Sequence, residues 1–139
     1  SWRAFCVLGD GECNEGSVWE AAMSAKHYKL GNVIALVDKN RFMIDGAVED
    51  IMSIEPFEDK WKSFGWKTTV IDGNNVEALL HTLETLDPPD SETPQCIICN
   101  TTKGKGVSYM ENQGKWHYGG LDETLEKQAL EDIEKLRQA

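Results

Sequence analysis

The sequence predicts a three-layer α/β/α fold built on a mainly parallel sheet. Three observations carry this reading. Apolar runs at residues 3–8, 33–37 and 95–101 are nearly continuous rather than alternating, the pattern of strands covered on both faces. Stretches with helical apolar spacing lie between them, and Gly- and Asp-containing turns mark the joins. With 139 residues and 40% apolar content, the chain can bury a real core, and residues 1–139 read as one domain.

Each element has a local reason. Residues 3–8 form a strand that runs into the turn Gly9-Asp10-Gly11. Ser17 with Glu20 three residues later reads as a capping box, and Gly31 as a stop, so a helix is expected over 17–30. Its inner positions Ala21, Ala22 and Ala25 are small and suit close approach to another helix or backbone, such as a subunit boundary. A strand at 33–37 leads into Asp38-Lys39-Asn40 and a polar loop through Gly46. Phe57, Trp61 and Phe64 mark a helix over 57–64 that Gly65 ends. A strand at 66–71 turns at Asp72-Gly73-Asn74 into a helix at 75–86. Residues 87–94, rich in Pro and acids, read as an exposed connector to the strand at 95–101. The Gly-rich stretch 103–120 is too long for an ordinary connection and is a candidate functional loop. Asp122 can cap a last helix over 123–138, with Leu125, Ala129, Ile133 and Leu136 on one face.

Composition excludes several functions. Fourteen basic against 24 acidic residues give a net charge of −10, which repels nucleic acid and anionic lipid. No run of about 18 apolar residues exists to span a membrane, and no basic-then-apolar leader opens the chain. Cys96 and Cys99 have the spacing of a metal or redox pair. They fall on one strand, however, where residues three apart point to opposite faces. They read as core thiols of a reducing, cytoplasmic compartment. The chain starts without Met and enters a strand at once, so it reads as a piece of something longer or a processed chain.

Two strand ends carry unusual chemistry. In open α/β sheets ligands gather at the carboxyl ends of strands. Here those ends present Gly9-Asp10-Gly11 and Asp38-Lys39-Asn40, with 28 residues between Gly11 and Asn40. One crossover helix between neighbouring parallel strands would set Asp10 beside Asn40. A carboxylate and an amide oxygen there are hard ligands of the kind Mg²⁺ or Ca²⁺ takes. The turn glycines leave backbone N–H groups open to a phosphate. Such an anion beside Asp10 needs a cation: at about 4 Å two like charges repel by roughly 4 kcal/mol.

Gly9-Asp10-Gly11 followed by Asn40 resembles the thiamine-diphosphate signature of the transketolase superfamily. Gly9-Asp10-Gly11-Glu12-Cys13-Asn14-Glu15-Gly16 with Trp19-Glu20-Ala21 is similar to transketolase, above all the bacterial type split into two subunits. Thr102-Lys103-Gly104-Lys105-Gly106-Val107 and Trp116-His117-Tyr118-Gly119 resemble a later loop of that family, so the likeness runs through nearly the whole chain.

The resemblance implies thiamine diphosphate and Mg²⁺ (or Ca²⁺) as cofactors. Asp10, Asn40 and the backbone carbonyl of Phe42 would hold the metal, with diphosphate oxygens and a water completing its shell. Gly11, Asn40, Ile44 and His117 would contact the cofactor, Ile44 near the thiazolium ring. His117 would also reach substrate as a catalytic donor that stabilises developing negative oxygen; His27 and His81 lack such context. Glu15 and Glu20 read equally as helix-start electrostatics or as carboxylates of a dimer interface. Lys103 and Lys105 match no Walker pattern and suit a mobile closing loop or solvent.

The expected reaction is transfer of a two-carbon ketol unit between phosphorylated sugars, as in the pentose phosphate pathway. The pyrimidine-binding domain that the cofactor also needs is missing from this sequence, as is the family's segment before Gly9. The expected partner is that domain or subunit, in a dimer or heterotetramer. Two alternatives stand beside this: another thiamine-diphosphate enzyme, of deoxyxylulose-phosphate synthase or 2-oxo acid dehydrogenase type, and an inert fragment used for assembly.

Overall fold

The computed structural model describes residues 2–138. In chain order the elements are β1 (Ala4–Gly9), α1 (Gly16–His27), β2 (Val33–Lys39), β3 (Phe42–Met43), β4 (Gly46–Ala47), α2 (Val48–Ile51), α3 (Phe57–Ser63), β5 (Lys67–Asp72), α4 (Val76–Glu84), β6 (Gln95–Asn100) and α5 (Glu123–Gln138). Short 3₁₀ turns occupy Glu12–Asn14 and Gly114–His117. Four strands form one parallel sheet in the order β1-β2-β6-β5, while β3 and β4 make a separate antiparallel hairpin. The α/β class and the parallel sheet follow the expectation from sequence.

The register places the site. Gly9 lies level with Asp38, and Lys39 and Asp72 both lie level with Asn100. The carboxyl ends of all four strands therefore open onto one rim. Behind it, Ala22, Ala25, Ala35, Val37, Phe57, Trp61, Trp66, Cys96 and Ile98 pack on the face covered by α1 and α3. Ile34, Ile97 and Cys99 pack on the other face against Leu79, Leu83 and Leu86 of α4 and the segment after it. Cys96 and Cys99 thus enter opposite cores, as a strand requires.

β2 and β6 are buried or half-buried along their whole length, but β1 is not. Phe5 and Val7, which pair in register with Ile34 and Leu36, are 54% and 73% exposed. α4 packs over the other end of the sheet, so no described element shields this face of β1.

Several local expectations shift. The capping box does not form: Glu15 is the N-cap and makes no side-chain cap bond. Ser17 already lies within the helix, where the extended backbone of a cap is lost, because the 3₁₀ turn feeds the chain directly into α1. The helix also ends early. The Lys29 N–H bonds to the Lys26 carbonyl and the Leu30 N–H to the Ala25 carbonyl, at 3.1 and 2.9 Å. Lys29 sits at φ +55°, which completes a Schellman ending with lysine in the place usually held by glycine. Gly31 instead permits close approach: a Cβ there would lie 1.9 Å from the Ser91 carbonyl oxygen. Ala22 is buried within this chain, with its carbonyl accepting the Trp66 indole N–H at 2.9 Å, so it is not open to a partner.

Other readings hold. Gly65, at φ +81°, follows the end of α3. Asp122 caps α5 through the Leu125 N–H at 2.8 Å, although along the expected apolar face only Ala129 is buried. The stretch 103–120 is organised by its own bonds, with the Asn112 N–H on the Lys103 carbonyl at 2.9 Å and Tyr109 reaching the Leu125 carbonyl at 2.8 Å. No helix among the described residues is long and apolar enough to cross a membrane.

Candidate functional site

The two loops expected to meet do so through Asp10. Its side chain is buried, with Oδ1 accepting the Gly11 N–H at 2.9 Å and Oδ2 accepting the Arg41 N–H at 2.7 Å. The Asp10 N–H itself donates to the Asp38 carbonyl at 3.2 Å. Asn40 is held from both ends: its amide donates to Asp38 Oδ2 at 2.9 Å, and its Oδ1 accepts the Phe42 N–H at 3.0 Å. The hydroxyl of Thr101, beyond β6, donates to the other oxygen of Asp38. Three strand ends are thereby joined by bonds that fix both donor-bearing turns.

The electrostatics of this knot are unbalanced. Burial pushes the Asp10 carboxyl above the usual carboxylate range; the N–H bonds from Arg41 and Gly11 pull it back, and nearby Asp38 adds to the rise. No basic side chain forms an ion pair with Asp10 among the described residues. A buried carboxylate in this state favours a cation or a proton. Asn40 Oδ1 keeps a lone pair after accepting one N–H. This oxygen set fits a hard divalent ion. Among the described residues no cluster of three or more His, Cys, Asp or Glu could hold a metal alone, so such an ion would also draw on backbone and ligand oxygens.

A cavity of about 400 Å³ opens above the knot. Gly11, Glu15, Asn40, Phe42, Ile44 and His117 all line it. Gly11 lies so close to the β3–β4 hairpin that a Cβ there would come within 2.8 Å of Met43 Cβ. The 3₁₀ turn Gly114–His117 brings His117 to the cavity wall, and the Trp116 indole anchors that turn by donating to the Tyr109 carbonyl at 2.9 Å. Glu20 alone of the predicted set lies elsewhere, exposed on α1 and outside this cavity.

Glu12, Met43 and Asp45 also line the cavity, beyond the residues that the sequence pattern singles out. Asp45-Gly46 is a turn signal that could have revealed the hairpin, and with it Met43 and Asp45. Glu12 follows the glycine turn directly, and its carboxylate accepts the Gly9 N–H at 3.0 Å.

Comparison with known proteins gives the family. Residues 2–137 match the family described as "Transketolase, thiamine diphosphate binding domain". An apulose-4-phosphate transketolase subunit of Phocaeicola vulgatus is 41% identical over 97% of this chain and 49% of its own length. The 6-deoxy-6-sulfo-D-fructose transketolase subunit SqwG of a Clostridium species is 40% identical over 94% of this chain and 47% of its own. The crystal structure of Campylobacter jejuni transketolase superposes with a TM-score of 0.85 at 30% identity, covering 96% of this chain and 21% of that one. The chain therefore belongs to the transketolase family, in its thiamine diphosphate binding domain. It spans about half the length of these curated relatives.

Proposed function

We propose that this chain is the diphosphate-holding part of a transketolase-type transferase that moves a two-carbon ketol unit between phosphorylated sugars. The observation that carries the reading is the buried Asp10 carboxylate. It is tied to both strand-end turns and lies beneath a cavity lined by Gly11, Asn40, Phe42, Ile44 and His117.

Asp10, Asn40 and the Phe42 carbonyl would hold Mg²⁺, or Ca²⁺ in its place. The ion would neutralise the charge that burial makes costly on Asp10 and would draw a diphosphate into a chain of net charge −10. The Gly11 N–H would donate to that diphosphate, and Asn40 would serve both ion and cofactor. Ile44 would offer an apolar surface to the thiazolium ring. Thiamine diphosphate, when bound, supplies the nucleophilic carbon of the reaction. His117 would hold a proton toward the phosphate and toward developing negative oxygen on substrate.

Both curated relatives named above are, by name, subunits of a transketolase, which supports a partner for this chain. A pyrimidine-binding domain or subunit would complete the site, in a dimer or heterotetramer. Glu15, at the cavity wall, and Glu20, exposed on α1, are the carboxylates we assign to that interface. A cytoplasmic setting suits the four unpaired cysteines.

The test is reconstitution with the pyrimidine-binding partner. Ketose phosphate with an aldose acceptor should give two-carbon transfer, and His117→Ala should lower kcat/KM by roughly a hundredfold, the scale of one positioned acid–base group. Release of CO₂ from pyruvate without ketol transfer would instead assign a decarboxylating member of the superfamily.

A further inference from the structure

Two residues outside the cavity hold Asn40 in place. Asp38 lies near the end of β2 and Thr101 just beyond β6, and neither is among the residues that line the cavity. The Asp38 carboxylate accepts the Asn40 amide N–H at 2.9 Å on Oδ2 and the Thr101 hydroxyl on Oδ1. On the far side, the Phe42 N–H donates to Asn40 Oδ1 at 3.0 Å.

A carboxylate can only accept and a backbone N–H can only donate. A turned-over Asn40 amide would therefore set two acceptors together at Asp38 and two donors together at Phe42. The amide is locked with Nδ2 on Asp38, and the lone pair left over is on oxygen, the atom a hard cation takes. Asp38 can keep this hold only while its own carboxylate is fixed, and that falls to Thr101. The Thr101 N–H donates to the Lys39 carbonyl at 3.2 Å. Its methyl occupies the space that Gly73 leaves, since a Cβ at Gly73 would lie 2.6 Å from Thr101 Cγ2. Gly73 follows β5, so the contacts run along the rim from β5 through β6 and β2 to the turn tied to Asp10.

We propose that Thr101 is a positioning residue for the cation: acting through Asp38, it keeps the Asn40 amide from turning its N–H₂ toward the ion. The inference rests on the reading of Asn40 as a ligand of Mg²⁺. Partners that orient a metal ligand in this way typically set affinity by about ten- to a hundredfold.

The test is calorimetric titration of thiamine diphosphate into the chain assembled with the proposed pyrimidine-binding partner, repeated over a series of Mg²⁺ concentrations. Thr101→Val keeps the side-chain shape and removes the hydroxyl. It should raise the Mg²⁺ needed for half-maximal binding about tenfold, with wild-type affinity recovered at saturating Mg²⁺. Thr101→Ser keeps the donor to a charged acceptor and should stay within about twofold of wild type. A merely structural contact would behave otherwise: loosening the fold weakens binding at every Mg²⁺ concentration, and serine, lacking the methyl, would share the loss. Should Thr101→Val not fold, Asp38→Asn is read the same way, since it replaces one of the two acceptor oxygens with a donor. An unchanged Mg²⁺ requirement, no rescue by excess Mg²⁺, or a serine variant that behaves like valine overturns the inference alone. Wild-type binding that ignores Mg²⁺ overturns the reading of Asn40 as a ligand, and the inference with it.

Discussion

The backbone N–H of Arg41 donates to Oδ2 of Asp10 at 2.7 Å, so the turn after the second strand is fastened to a side chain at the end of the first. This bond, and not the Arg41 side chain, sets the spacing of the two turns. Arg41 sits at φ +70°. Arg41→Gly should therefore relieve left-handed strain and change stability by no more than about 1 kcal/mol, with metal-dependent cofactor binding kept. Arg41→Pro removes the N–H and forces a negative φ. It should lose that binding, as read by calorimetry beside a denaturant melt. Equal binding in both variants would show that the tether is dispensable.

Gly11 and Gly31 both mark close approaches, at different places. A Cβ at Gly11 would meet Met43 Cβ at 2.8 Å, beside the cavity, and one at Gly31 would meet the Ser91 carbonyl at 1.9 Å, far from it. Both alanine variants should cost about 1–3 kcal/mol by overpacking, in urea unfolding. Gly11→Ala should also weaken cofactor binding. Gly31→Ala should leave it unchanged wherever the chain remains folded.

Ala22 is 1% exposed and its carbonyl takes the indole proton of Trp66. Ala22→Leu should thus destabilise the chain itself by about 1–3 kcal/mol, and Trp66→Phe by about 1 kcal/mol or more from the lost bond and the smaller ring. A lower denaturation midpoint for Ala22→Leu at unchanged slope is the expected outcome. An unaltered midpoint would mean that α1 is not seated as described.

Glu55 links two elements, through an ion pair to Lys39 at the end of β2 and by accepting the Phe57 N–H at 2.8 Å. The Lys39 bond first, then the Phe57 N–H, holds its carboxyl below the ordinary glutamate range. A lowered folded-state value means that the stabilisation is complete above the unfolded pKa of about 4.3. It is lost as pH falls through the lower folded value. The melting gap between wild type and Glu55→Gln should be constant from about pH 6 to 8 and close below about pH 4. A gap that persists in acid would assign the effect to packing.

The fold is largely legible in the sequence because its strands are buried and its turns chemically marked. Val33 to Val37 and Gln95 to Cys99 could hardly form anything but inner strands, and Asn75, which accepts the Ala78 N–H at 3.0 Å, starts its helix within a residue of expectation. Helix ends are less legible. The Ser17–Glu20 pattern is overridden by a 3₁₀ turn, and a lysine takes the left-handed position that a glycine usually signals. The two-residue strands of the β3–β4 hairpin are too short to carry a period, so only the Asp45-Gly46 turn signal marks Met43 and Asp45. Asp10, Gly11, Asn40 and His117 stand out because their residue types have few uses in that pattern. The exposed face of β1 has no signal in the sequence, since apolar spacing records what a strand can bury, not what covers it.

The most direct test of the central claim is calorimetric titration of thiamine diphosphate into the chain assembled with the proposed pyrimidine-binding partner, with and without Mg²⁺, for wild type and Asp10→Ala. Wild type should bind only with the metal, and Asp10→Ala should show no metal-dependent heat. Equal heats in all four titrations would contradict the assignment of Asp10 and Asn40 as the clamp for a diphosphate-bound cation.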